Sequence, residues 1–385
     1  MKQISVLHLA VAEGRGHLVR AHRLRRLFAG TPIRIDIATT HSSGQAFLQE
    51  LGTPSWVLPG GLSLPFDSRH VMQLGALRGH LAHYLRRGLL ADIRALKERR
   101  ADFYVNDSLH PALLSGLVDP KRVVLLHGDT MEEAFLGHFD EAPFRDAYRA
   151  IASNLLLRAG FRVHHSAFAV PSGTVDLNAR LATIPPLLPP LLRSDADVRR
   201  ALGAADGTPI ATVYLNPHYR EVAVAEAIER ALAGRYHLHA VGEGYAGRPH
   251  WLRADPNLGE VIARSSVFVS GAGMASIAEA RRADVPLLVL EGRQPEQTLN
   301  LERARPTFVP QTFARVPLGS LGPDELARAI RSALSSLRIP SAPRRSIAPV
   351  DSAQTWRNTF ATLFGISAEA LETTTPAKET FPHAA

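Results

Sequence analysis

Residues 184–193 read Ile-Pro-Pro-Leu-Leu-Pro-Pro-Leu-Leu-Arg, and no helix or central strand can run through them. Each proline fixes φ and removes a backbone donor, so this segment separates whatever folds on either side of it. On both sides the chain repeats one pattern, short apolar runs alternating with amphipathic stretches, which is the mark of parallel βαβ units. Before the prolines, strands are predicted at Ile4–Val11, Ile33–Thr39, Phe103–Asn106, Val123–His127 and Phe161–His165, with helical stretches at His17–Phe28, Gln45–Leu51 and Val71–Arg99. After them, strands are predicted at Ile210–Leu215, His237–Val241, Val267–Ser270, Leu287–Leu290 and Phe308–Phe313. The helices of this half are predicted at Glu221–Leu232, Ala275–Ala283, Pro295–Arg303 and Pro323–Leu334. The pattern predicts two α/β domains, residues 1–183 and 194–345, joined by the linker 184–193. A last amphipathic helix, Ser352–Phe364, is expected within 350–365, and the Thr-, Glu-, Ala- and Pro-rich tail 366–385 reads as disordered.

Composition narrows the function classes. With 45% hydrophobic and 21% charged residues the chain is globular, and at 385 residues it can bury two cores. No apolar run reaches the length of a spanning helix, and the first residues, MKQISVLHLAVAEGRGH, read as a strand entering a glycine turn rather than a cleaved signal. The absence of cysteine excludes a disulfide framework and a thiolate zinc site, and fits a cytoplasmic protein. The net charge of +8 favours anionic partners. The excess arginines, among them Arg20, Arg23, Arg86, Arg87 and Arg94, equally suit the solvated faces of helices. No zinc finger or RNA-recognition signature is present, so nucleic acid is not indicated.

Three segments carry chemistry. The first is Val11-Ala-Glu-Gly-Arg-Gly-His17, directly after the first strand and opening a helix. Its small residues permit a sharp turn, and the helix N-terminus offers unpaired N–H groups to an anion. It lacks the third glycine of a dinucleotide fingerprint and the Gly-Lys-Ser/Thr of a Walker loop. His17 sits where strand ends open into a crevice, placed either to take a proton or to pack the turn. The second is Val105-Asn-Asp107-Ser-Leu-His110 at the end of another strand. Asp107 there either orients His17, as in a base–orienter dyad, or caps the helix starting near Pro111. His127-Gly-Asp129 is a weaker crevice candidate. These His and Asp residues lack a recognised ligand spacing, so no metal site is expected. The third segment runs from Ser265 to Asn300: a strand ends in Ser270-Gly271-Ala272-Gly273, and a helix starts there whose N-terminus can receive a diphosphate. Glu279 on that helix can accept hydrogen bonds from ribose hydroxyls, and Gln297 after the next strand can read sugar hydroxyls.

On these residues the chain resembles a family. Gly-x-Gly-His is similar to the opening loop of many GT-B glycosyltransferases. Gly273-x(5)-Glu279, then Pro286, Gln297 and Asn300, resembles the donor-binding block of the glycosyltransferase family 28 C-terminal domain and of the UDP-glycosyltransferases. The Gly-Arg-Gly-His-x-x-Arg variant looks closest to bacterial UDP-glucuronosyltransferase-like proteins. The resemblance implies an α/β fold of two Rossmann-like domains, with the C-terminal helix returning to the N-terminal domain. It implies an inverting transfer of sugar from a UDP-sugar to an acceptor hydroxyl, with the nucleotide sugar as substrate, no cofactor and no essential metal. His17 would deprotonate the acceptor, Asp107 would orient His17, Glu279 would hold ribose and Gln297 the donor sugar. Gly16, Asn216, Ser270, Gly271, Gly273 and Met274 would complete the donor site. The acceptor is a small molecule or a lipid; Leu74–Leu90 mixes apolar residues with arginines and would suit an anionic membrane surface. The family's Gly- or Ser-rich loop after the first strand of the second domain is replaced by Tyr214-Leu-Asn216-Pro-His218-Tyr-Arg220. Two alternatives share the architecture: a non-hydrolysing UDP-sugar 2-epimerase, and a nucleotide-sugar-binding protein that has lost catalysis.

Overall fold

The computed structural model describes residues 3–12, 15–62, 79, 82–107, 110–129, 145–146, 149–150, 153–154, 157–169, 172–292, 295–319, 321–339 and 352–367. Its strands are β1 Ile4–Ala10, β2 Ile33–Thr39, β3 Trp56–Val57, β4 Phe103–Asp107, β5 Val123–His127, β6 Phe161–His165, β7 Thr174–Asp176 and β8 Leu181–Ile184, followed by β9 Ile210–Tyr214, β10 His237–Val241, β11 Trp251–Leu252, β12 Val267–Ser270, β13 Leu287–Glu291 and β14 Phe313–Pro317. The helices are α1 Arg15–Leu27, α2 Ser42–Glu50, α3 Leu89–Glu98, α4 Pro111–Leu114, α5 Asp195–Leu202, α6 Val222–Leu232, α7 Leu258–Ala263, α8 Met274–Arg282, α9 Pro295–Ala304, α10 Pro323–Ser336 and α11 Ser352–Phe364.

Two sheets result. The first runs β3-β2-β1-β4-β5-β6-β8-β7, parallel except for the β7–β8 pair; the second runs β11-β10-β9-β12-β13-β14, parallel throughout. Each contains the doubly wound order in which the chain steps outward one way, returns to the middle and steps outward the other way. The order reverses between β1 and β4 in the first sheet and between β9 and β12 in the second. Their strands are near-continuous apolar runs, as helices covering both faces of a parallel sheet require. α1 buries Leu18, Ala21, Leu24 and Leu27, an i, i+3 stripe, which leaves His17 and Arg20 together on the neighbouring face.

Among the described residues no strand pairing crosses the proline segment, yet the first sheet reaches its first residue, because Ile184 ends β8. The segment is packed rather than loose. Leu187 and Leu188 are buried, and their carbonyl side is held by arginines from both halves: Arg23 donates to Leu187 O at 2.9 Å, and Arg282 to Pro189 O. α11 lies against the first domain. Trp356 is fully buried and donates to Pro185 O at 2.8 Å, Phe360 meets Phe28 at 6.1 Å between centroids, and Phe364 meets Phe103 at 4.6 Å.

Two sequence expectations change. The last strand of the second sheet is not Phe308–Phe313 but Phe313–Pro317, where Leu287 pairs with Phe313. Pro306 and Pro310 interrupt the earlier stretch, and Arg305–Thr307 forms a 3-10 turn instead. The helix expected over Val71–Arg99 is described only at residue 79 and over 82–99, where one π-helical turn, Tyr84–Gly88, precedes α3. Its remainder lies outside the described residues, as do 340–351 and 368–385. None of the described helices is long and apolar enough to cross a membrane.

Candidate active site

Ligands of doubly wound sheets bind outside the carboxyl ends of the strands where the strand order reverses. In the first domain that point lies between β1 and β4, whose last paired residues are Ala10 and Asp107. His17, in the first turn of α1, reaches it: its Nδ1 lies 2.8 Å from Asp107 Oδ1. An ionised carboxylate only accepts, so this contact requires hydrogen on Nδ1 and leaves the Nε2 lone pair free to take a proton. About a third of the His17 side chain (32%) remains exposed.

Asp107 itself is fully buried and saturated. Arg20 grips both oxygens, Nε to Oδ2 and Nη2 to Oδ1, each at 2.7 Å, and His8 Nε2 lies 3.3 Å from Oδ2. Burial alone would raise the carboxyl pKa; the charge of Arg20, followed by His17 and the hydrogen bonds, holds it well below the usual carboxylate range. Asp107 does not cap the helix at Pro111, whose N-cap position is His110 with no side-chain capping bond. His127 and Asp129 stand farther along the same sheet edge. There Asp129 takes His164 Nε2 at 2.7 Å and the Ser166 hydroxyl at 2.7 Å. Glu13, Gly14, Ser108 and Leu109 lie outside the described residues. Among the described residues no group of His, Asp and Glu is arranged to hold a metal.

The second domain's reversal point carries the loop after β12. Ser270 Oγ donates to Tyr214 O at 2.8 Å and meets Ser276 Oγ at 2.9 Å, tying the strand end to the first turn of α8. Gly271 has no room for a side chain, since a Cβ would stand 2.5 Å from Tyr219 Oη. Asn300 donates to Ala272 O at 3.0 Å and pins the same loop from α9. Gly273 caps α8, and a Cβ there would meet nothing closer than Ser276 Oγ at 3.8 Å; one at Gly16 would meet nothing within 4 Å. Asn216 Oδ1 accepts from His218 N at 3.1 Å, an Asx turn that replaces the glycine-rich loop. Met274 Sδ accepts from Ala167 N of the first domain at 3.2 Å.

Glu279 and Gln297 are both buried. Glu279 pairs with Arg282 through Oε2 and stands 3.8 Å from Arg23 of α1; Oε1 has no hydrogen-bond donor among the described residues. Gln297 accepts from Tyr219 Oη at 2.9 Å and is 1% exposed. Its neighbour Glu296 is exposed and lies within electrostatic reach of His17. Successive helical residues point about 100° apart, which gives Glu296 and Gln297 different surroundings.

The halves also meet through charge. Arg15, stacked on Phe47 at 4.7 Å, donates Nε and Nη2 to the two oxygens of Glu243, each at 2.7 Å, and Arg253 joins Glu243 at 3.7 Å to Glu50 at 3.1 Å. The sequence alone assigns no site role to Arg15, Arg20, His8, Tyr219, Glu243 or Glu296, although Arg15 and Arg20 stand in its Gly-Arg-Gly-His-x-x-Arg motif. Only Arg20 carried a local signal, its i+3 spacing from His17.

Two doubly wound domains facing each other, with a C-terminal helix on the first, define the GT-B fold. Among the solved structures similar to this chain are GT-B glycosyltransferases. CalG4, the calicheamicin glycosyltransferase, is 18% identical over 96% of this chain and 100% of its own, with a TM-score of 0.57. The kitacinnamycin glycosyltransferase is 18% identical over 97% and 98%, with a TM-score of 0.56. UGT2 of Phytolacca americana, complexed with UDP-2-fluoro-glucose and pterostilbene, is 14% identical over 94% and 100%, with a TM-score of 0.54. No protein-family model matches the sequence, and no curated protein is significantly similar to it.

Proposed function

We propose that the protein is an inverting glycosyltransferase that moves a sugar from a UDP-sugar to an acceptor hydroxyl. The observation that carries this reading is the His17–Asp107 pair at one reversal point, in a domain that meets the other domain through Met274 at the start of α8 and through Glu296. His17 Nε2 takes the proton of the acceptor hydroxyl as its oxygen bonds to the anomeric carbon. The bond from that carbon to the diphosphate breaks, and the diphosphate leaves with the electron pair toward the N–H groups after Gly273. Glu279 Oε1, a buried acceptor with Arg23 at 3.8 Å and no hydrogen-bond donor among the described residues, suits a ribose hydroxyl. Glu296 rather than Gln297 is the side chain suited to contact the donor sugar, because Gln297 is engaged by Tyr219.

The acceptor fits a lipid at an anionic surface. Leu85, Leu90 and Leu117 are exposed, and Arg86, Arg87, Arg94 and Lys97 lie on the same π-turn–α3 segment as the first two. Flotation with phosphatidylglycerol vesicles tests this point alone. The function is tested by a panel of nucleotide sugars scored by thermal shift and then by transfer. A ligand at a hundred times its Kd adds about 2.7 kcal/mol to the native state, a readable shift. Release of an altered nucleotide sugar without acceptor would identify a 2-epimerase instead. Binding without turnover would identify a binding protein.

A further inference from the structure

Asp107 cannot act on His17 as a lone carboxylate would. A lone buried carboxylate beside an imidazole both orients the ring and favours its cation. Here the negative charge is already met by Arg20, which takes both oxygens at 2.7 Å in a forked pair with only 16% of its side chain exposed. Arg20 Nη2 also stands 3.1 Å from His17 Nδ1. With Nδ1 carrying hydrogen toward Asp107, that approach places positive charge against the ring without a bond to it. The Arg20–Asp107 pair is thus neutral before the imidazole takes any proton. Among the described residues the other groups facing His17 are His8 on β1, which shares Asp107, His165 on β6, and Glu296 from the second domain. None of these supplies a second cation held in a fork.

We propose that Arg20 is a positioning residue for the transfer: it compensates the Asp107 charge and turns the carboxylate toward His17 Nδ1, so that the dyad orients the base without trapping a proton on it. This rests on His17 being the base, and it adds the control that lets the base release its proton in each cycle. Arg20 is i+3 from His17 on one helix face, so a single turn of α1 delivers both groups to the strand end.

The test follows the His17 ring by 15N NMR in protein labelled on histidine, assigned by the signals lost in His17→Gln, and needs no substrate. In Arg20→Gln the ring should become cationic at a pH about one to three units higher than in the wild type. Arg20→Lys, which keeps the charge and loses the fork, should stay near the wild type. The double variant Arg20→Gln/Asp107→Asn leaves no unpaired buried charge and should also titrate near the wild type. Coincidence of Arg20→Gln with the wild type would overturn the proposal. So would a double variant titrating well below the wild type, since Asp107 would then act alone; this arm decides the matter if the single variant does not fold. Where transfer is measured, the loss in Arg20→Gln should be largest at the acid end and shrink as pH rises, whereas a packing defect lowers the rate at every pH. Transfer that survives in His17→Ala would remove the base assignment and leave the NMR result standing.

Discussion

At the scale of single residues the site is a set of committed polar atoms with a few left open. His17 Nε2, on a part-exposed side chain, and Glu279 Oε1, which has no hydrogen-bond donor among the described residues, each support a measurement. His17→Ala should lower turnover about 10²–10⁴-fold with little change in donor affinity. Asp107→Asn should cost less, and the double variant no more than His17→Ala alone, because the pair acts as one unit. Near-wild-type transfer by His17→Ala would end the assignment. Glu279→Gln keeps the shape but weakens the acceptor, and UDP affinity measured by calorimetry should fall about ten- to a hundred-fold. Unchanged affinity would take Glu279 out of the donor site.

At the scale of elements, α1 and α11 do most to define the first domain. α1 closes its core with one stripe and delivers His17 and Arg20 with the next. α11 is the last described element, yet its aromatic residues join the core built by β1, β2 and α1. Trp356 is fully buried in that core and donates to Pro185 O, so it ties α11 to the proline segment. Trp356→Ala should cost about 3–5 kcal/mol, read as a lower midpoint in urea. A change within about 0.5 kcal/mol, as at a surface position, would show that α11 does not belong to that core. The sequence pattern located α11 because its apolar residues recur with helical period; what the helix packs against was not in that pattern.

At the scale of the whole molecule, buried neutral histidines set the pH response. Burial lowers His110 to about 3, His22 to about 4 and His127 to about 4, and it also lowers His8 and His165. The unfolded chain titrates these groups near the ordinary value of about 6.5, so below that pH it binds more protons than the folded chain. Their contribution is therefore complete above about pH 6.5 and declines as pH falls toward the folded values. Each such histidine takes away up to about 1.4 kcal/mol per pH unit in that window. Asp107, held low by Arg20, loses its contribution only at more acid pH. Unfolding midpoints measured from pH 8 down to about pH 4 should fall with a slope that His110→Gln reduces. A flat profile across that range would show that these histidines are not buried as described.

Much of this molecule was legible in its sequence because the information is local. The period of the apolar residues set the strands and helices, the prolines marked where one sheet gives way to the next, and glycines marked the loop at Gly271–Gly273. Those signals work within a dozen residues, the range over which backbone geometry repeats. Tertiary structure decided the rest. Arg20 reaches Asp107 across 87 residues of chain and Arg15 reaches Glu243 across 228, and both pairings follow from strand order, which local period does not encode. Gln297 turned inward to Tyr219, and Glu296 outward, for the same reason: the helix period gives the two neighbours different surroundings, and only the packing of α9 against the β12 loop decides which side chain takes which.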